Sequence, residues 1–214
     1  MIKAVIFDFD GVILDSEAIH EQTWETLLGR YGIPFTNQMK IDVKGRSARD
    51  NLRKILGSRF KDEHLTPIVQ ERIKLFQGLL RKDMKLIKGV EVFLKALRDH
   101  NYKIGLATAS IKQNLAMVFE TYSIKKLFDV IVSSEDVTHG KPHPEIFLKA
   151  ASLLGIKSVE CLVFEDALTG MEAAQRAGMK VGFIISSFEL PESYKPDLAI
   201  KDFSQITVEQ LKKL

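Results

Sequence analysis

The stretch Ala4-Val5-Ile6-Phe7-Asp8-Phe9-Asp10-Gly11-Val12 decides the fold. Four apolar residues make a short strand with no polar face, the pattern of a strand buried on both sides. The run ends on Asp8, and Asp10 follows two residues later. Side chains at i and i+2 of extended backbone point the same way, so both acids project from the carboxyl end of the strand. Ligands of open α/β sheets bind outside those ends. Two carboxylates this close repel unless a cation or a shared proton relieves them. A hard divalent cation such as magnesium suits carboxylate and carbonyl oxygens. Gly11 lets the backbone turn tightly beside a ligand. Taken alone, the motif also fits a surface loop with two solvated acids.

Outward from that strand, short apolar runs recur at Ile104 to Ala107, Val130 to Val132, Leu162 to Phe164 and Val181 to Ile185. Helical spacing fills most of the intervals. Val90, Phe93, Leu94 and Leu97 follow it, as do Leu115, Val118, Phe119 and Tyr122. Pro144 begins a further helix that Gly155 stops. Strands alternating with helices predict a parallel sheet covered on both faces. The interval from Ser16 to Lys88 breaks the rhythm and carries helical signals only. Trp24, Leu27, Leu28 and Tyr31 share a stripe ended by Gly32. Ser47 to Asp50 reads as a capping box before Leu52, Ile55 and Leu56. Val69, Ile73, Phe76 and Leu80 follow a helix start at Thr66-Pro67. The expected organisation is a Rossmann-like parallel α/β core over 1–15 and 88–214, with a helical cap over 16–87.

Three more strand ends carry chemistry. Leu106-Ala107-Thr108-Ala109-Ser110 offers a hydroxyl at Thr108, and the backbone N–H groups of Ala109 and Ser110 open a helix, a place for phosphate oxygens. Thr108 or Ser110 as a plain cap of the helix near Ile111 is the alternative. In Gly140-Lys141-Pro142-His143-Pro144, two prolines stiffen the loop around Lys141, and a fixed ammonium neutralises a phosphate or an aspartate. The alternative is an exposed turn lysine, and His143 reads as structural. Val163-Phe164-Glu165-Asp166 puts two acids at the end of a buried strand, which is costly without partners. A metal shared with Asp8 and Asp10 supplies one.

The 214 residues carry 31 basic and 28 acidic side chains, a net charge of +3. Acids and bases are interspersed, so neither nucleic acid nor membrane is an expected partner. Cys161, the single cysteine, lies in an apolar run and reads as core. The start of the chain lacks a signal-peptide core, and no apolar stretch reaches bilayer length. These features point to a cytoplasmic monomer.

Together the four motifs resemble, in order, those of the haloacid dehalogenase superfamily, and the longer forms around Asp8 and Lys141 look most like its β-phosphoglucomutase-like branch. The resemblance covers nearly the whole chain, helical cap included. It implies that Asp8 is the nucleophile and that Asp10 serves as acid and base. It implies that Thr108 and Lys141 hold the phosphoryl group, and that Asp8, the Asp10 carbonyl oxygen and Asp166 bind Mg2+ with help from Glu165. In the cap, His20 would steer Asp10, and Arg46 and Arg49 would bind substrate. The mutases carry an arginine directly after the serine that corresponds to Ser47; here Ala48 stands there. The expectation is therefore a magnesium-dependent phosphatase of small phosphate esters, chiefly sugar phosphates. A β-phosphoglucomutase is the second reading. A haloacid dehalogenase, which needs neither Asp10 nor the metal acids, and a non-catalytic phosphate-binding module stand behind both.

Overall fold

In the computed structural model, which describes residues 1–57, 61–185 and 190–214, β1 (Ala4–Phe7) is completely buried. It lies in the middle of a six-stranded sheet with β2 (Lys103–Ala107), β3 (Val130–Val132), β4 (Cys161–Glu165), β5 (Lys180–Ile184) and β6 (Leu198–Ile200). The order is β3-β2-β1-β4-β5-β6, and every pairing is parallel. This is the doubly wound arrangement, whose strand order reverses beside β1. The crevice thus opens at the carboxyl ends of β1, β2 and β4, where the sequence places its acids and hydroxyls.

One face of the sheet is covered by α5 (Val90–Asp99) and α6 (Lys112–Thr121), and its core joins Phe7, Phe93, Phe128, Phe164 and Phe203. Phe7 stacks on Phe164 at 5.4 Å between ring centres. The other face takes α7 (Glu145–Leu154) and α8 (Leu168–Arg176) on Ile6, Val163, Val181 and Phe183. Cys161 is buried there, and burial pushes its thiol up to about 11. Gly155 stops α7 in the left-handed conformation, as expected. A short α9 (Val208–Leu211) closes the chain.

Between β1 and α5 lie α1 (Glu17–Arg30), α2 (Asn37–Asp42), α3 (Ala48–Leu56) and α4 (Asp62–Leu80). They bury a separate cluster built on Trp24, Leu27, Leu28, Leu52, Leu65 and Ile68. Three local expectations need correction. Tyr31 ends α1 half-exposed, outside the stripe, with its hydroxyl toward Glu71. α4 starts at Asp62 and runs through Pro67. Pro67 withdraws one donor from the carbonyl of exposed Glu63, a modest loss near the helix start, and burial of Leu65 and Ile68 on either side keeps the helix going. Ser47 caps α3 as expected, but Asp50 answers its hydroxyl (2.6 Å), not its backbone.

Candidate active site

Asp8 follows β1 directly, and its N–H extends the ladder to the Phe164 carbonyl at 2.9 Å. Its carboxylate is buried. Lys141 enters from the loop before α7 and is equally buried, so it is not an exposed turn lysine. Its Nζ donates to Asp8 Oδ1 at 2.8 Å and Glu165 Oε1 at 2.5 Å, and lies 4.9 Å over the Phe147 ring. The second oxygen of Glu165 accepts the N–H groups of Asp166 (3.1 Å) and Ala167 (3.2 Å). Glu165 thus anchors both Lys141 and the turn that presents Asp166.

Asp8, Glu165 and Asp166 place carboxylate oxygens within 4.8 Å of one another. Lys141 compensates the first two, while among the described residues the cation at Asp166 is Lys44 at 4.0 Å. Burial raises the Asp166 carboxyl well above its ordinary value; Lys44 opposes this, and the charges of Glu165 and Asp8 add to it. Burial likewise raises Asp8 to about 7 against the pull of Lys141. Gly11, at φ +75°, gives Asp166 its room: a Cβ there would come within 2.0 Å of Asp166 Oδ2. The cluster is all oxygen and short of positive charge, a donor set that fits a hard divalent cation.

Asp10 has different neighbours. Its carboxylate accepts from Ser16 Oγ at 2.8 Å, from His20 Nε2 at 3.0 Å and from the Ser110 hydroxyl. Burial works against its charge, but His20 and the two hydroxyls outweigh it and hold the carboxyl at about 2. The paired aspartates are thus held by two separate sets of side chains. Ser110 is not a helix cap: the N-cap position of α6 is Ile111, and the Ser110 side chain turns inward. Thr108 Oγ1 accepts the Ser110 N–H at 3.0 Å, which shapes the turn and leaves its hydroxyl proton to donate.

The insertion closes over these groups. A cavity of about 330 Å³ is lined by Asp8, Asp10, Thr108, Ala109, Ser110 and Asp166 on the core side, and by His20, Lys44, Arg46, Ser47, Ala48 and Arg49 on the other. Arg46 Nε is buried without a hydrogen-bond partner among the described residues, whereas Arg49 donates to Thr66 Oγ1 at 3.0 Å. Cap and core touch where Thr169 Oγ1 donates to the Lys44 carbonyl at 2.9 Å. Gly45, beside it, has room for no side chain: a Cβ would lie 2.5 Å from Thr169 Oγ1 and 2.8 Å from the Ala167 Cβ.

Sequence reasoning missed Arg72 and Ser16. Arg72, buried on α4, donates from Nη2 to His20 Nδ1 at 2.9 Å and sits 4.2 Å over the Trp24 ring. Burial lowers its guanidinium to about 10, still cationic at neutral pH. A guanidinium can only donate, so His20 Nδ1 accepts and Nε2 carries the proton toward Asp10. Phe76 stacks on the same imidazole at 4.4 Å. A charged residue set among Val69, Ile73 and Phe76 on an apolar helix face was the available signal.

A family model described as haloacid dehalogenase-like hydrolase matches residues 5–184. The chain is 31% identical over 217 residues to β-phosphoglucomutase of Bacillus subtilis, covering 98% of this chain and 94% of that protein. It is 31% identical over 183 residues to a phosphorylated carbohydrates phosphatase of Thermotoga maritima, covering 84% and 83%. Among solved structures, β-phosphoglucomutase of Clostridium difficile superposes with a TM-score of 0.89 at 30% identity, covering 100% of this chain and 96% of that one.

Proposed function

The chain belongs to the haloacid dehalogenase-like hydrolase family and is an enzyme acting on phosphate esters; on that premise we propose that it is a magnesium-dependent phosphatase of small phosphorylated metabolites, sugar phosphates foremost, working through an aspartyl phosphate on Asp8. The observation that carries this reading is the buried Asp8–Lys141–Glu165 array beside a separately held Asp10.

Lys141 fixes the Asp8 carboxylate with one oxygen held, leaving the other to attack phosphorus. The bond from Asp8 to phosphorus forms as the bond to the leaving oxygen breaks. Asp10 gives that oxygen a proton and then takes one from the water that cleaves the aspartyl phosphate. In the resting site Asp10 is ionised, which suits the second step. An arriving phosphate dianion raises its proton affinity by like-charge repulsion and readies it for the first. Thr108 and Lys141 are placed to hold the equatorial oxygens. Asp8, Asp166 and the Asp10 carbonyl would hold Mg2+, which supplies charge neutralisation on the transferring group. The cavity is near the small end of the range of about 300–1,000 Å³ for small-molecule sites, which suits a metabolite over a polymer.

Hydrolysis is preferred to mutase chemistry because Ala48, not an arginine, stands after Ser47 on the cavity wall. The test is Mg2+-dependent phosphate release across sugar phosphates and nucleotides, with Asp8→Asn as control. Release lost in Asp8→Asn supports the proposal. Glucose 6-phosphate formed from β-glucose 1-phosphate, with a sugar bisphosphate as activator and no net phosphate release, would make the enzyme a mutase.

A further inference from the structure

A second group of metal-binding side chains lies on the outer side of the loop that carries Lys141. His139, His143 and Glu145 each bring a ligand atom within 4.8 Å of the others. His139 Nδ1 lies 2.8 Å from Glu145 Oε2, His143 Nδ1 lies 4.0 Å from the same oxygen, and the two ring centres are 4.6 Å apart. The imidazoles are 63% and 50% exposed, so an ion reaches them and the rings can turn. Glu145 is preset: its carboxylate accepts the N–H groups of Thr138 at 2.8 Å and His139 at 2.9 Å.

Local hydrogen bonding explains part of this arrangement. Glu145 ties the loop to the start of α7, and the Glu145 N–H reaches His143 Nδ1 at 3.3 Å. The outcome is a second imidazole tilted over the first, with both Nδ1 atoms within 4.0 Å of one carboxylate oxygen. Two neutral imidazoles and one carboxylate are a borderline donor set, which selects zinc-type ions and not magnesium. The all-carboxylate cluster in the cavity has the opposite preference. Residues 139 and 143–145 flank Lys141, so one ion held by them would clasp both ends of the loop that delivers the catalytic cation.

We propose that His139, His143 and Glu145 form a surface site for a zinc-class divalent transition ion, distinct from the magnesium site, that clasps the Lys141 loop. The experiment titrates Zn2+, and Co2+ as its spectroscopic substitute, into the whole protein with Mg2+ in large excess to occupy the carboxylate cluster. One Co2+ is expected to bind, with visible absorption bands, and to broaden the ring signals of His139 and His143 but not of His20, His64 or His100. The His139→Gln/His143→Gln variant should lose the bands and bind Zn2+ at least about tenfold more weakly, the least cost of disturbing even an outer-shell partner. An unchanged melting curve without zinc shows that this variant is folded. Asp166→Asn should keep the bands. Equal Zn2+ affinity in wild type and histidine variant, or bands lost in Asp166→Asn instead, would overturn the proposal.

Discussion

Replacing Lys141 with methionine tests the electrostatic account of the site. Methionine keeps most of the length and the packing over Phe147 but removes the charge. The side chains involved are dry: Lys141 is 1% exposed, Asp8 4% and Glu165 0%. Removing one partner of such an array strands a buried carboxylate at a cost of about 3–5 kcal/mol. The stranded group can instead take a proton, which sets a ceiling. For a stranded glutamate, as Glu165 would be, whose ordinary value is about 4.3, neutralisation costs about 4 kcal/mol at pH 7 and about 1 kcal/mol at pH 5. Losing Lys141 raises the folded-state proton affinity of the acids it faced, so the variant's native state binds more protons than the wild type's. Its deficit therefore grows as pH rises. Urea denaturation at the two pH values, without divalent ions, should show a loss of about 3–4 kcal/mol at pH 7 and less than half of that at pH 5. At an m-value near 2 kcal/mol/M the midpoint falls by about 1.5–2 M at pH 7. A deficit under about 1 kcal/mol at pH 7, or one that does not vary with pH, would refute the reasoning, because Lys141 would then not be compensating buried charge.

Three further outcomes follow from the same geometry. Gly11→Ala should weaken Mg2+ binding and cut phosphate release at least about tenfold, since its Cβ meets Asp166 Oδ2 at 2.0 Å; Gly155→Ala, at φ +69° with nothing within 4 Å, should cost only about 1 kcal/mol of left-handed strain and leave activity intact. Mg2+ binding near pH 7 should release protons and strengthen with rising pH, because burial holds Asp8 at about 7 and Asp166 above its ordinary value, and both must ionise to ligate; binding heats that do not change with the ionisation enthalpy of the buffer would count against it. Arg72→Leu should release the His20 ring from its Nε2–H tautomer, visible in nitrogen-15 imidazole shifts, and lower kcat more than it raises KM, while Arg72→Lys restores both; an unchanged tautomer in Arg72→Leu would show that Phe76 and Asp10 orient the ring unaided.

Much of this molecule could be read before its structure, and the exceptions share a cause. Buried strands announce themselves because both faces must be apolar, as in Ala4 to Phe7 and Leu162 to Phe164. β6 escaped because Leu198–Ile200 is a three-residue edge strand with an exposed middle residue and too little periodicity to detect. The acids at strand ends were legible since uncompensated charge beside a buried run demands an explanation. Arg72 was not, because it meets its partner His20 from 52 positions away in sequence, and its place on the apolar face of Val69, Ile73 and Phe76 names no partner. The contact of Ser110 with Asp10 was hidden for a related reason. A serine before a helix is an ordinary cap, and only the position of Asp10, 100 residues earlier, turns its hydroxyl inward.

Two aspartates two residues apart on one strand end are thus driven in opposite directions, Asp8 up to about 7 and Asp10 down to about 2. That order is the reverse of what the proposed roles need, a charged nucleophile and a protonated acid; a cation on Asp8 and a phosphate dianion beside Asp10 would each push toward those states. The groups responsible come from different parts of the chain. Asp8 is set by burial, by Lys141 on a loop of the sheet core and by Glu165 at the end of β4. Asp10 is set by Ser16 and His20, at and just inside the start of α1, and His20 is in turn held by Arg72 on α4; Ser110 is the one core contributor. Any displacement of α1 and α4 from the sheet withdraws two of the three donors to Asp10 while leaving the Lys141 array intact. The proton affinity of Asp10 then rises toward its ordinary value, because the bonds that lower it are lost. The position of the helical insertion is therefore coupled to the protonation of Asp10. Contact between the Lys44 carbonyl and Thr169 fixes that position from the opposite rim of the cavity.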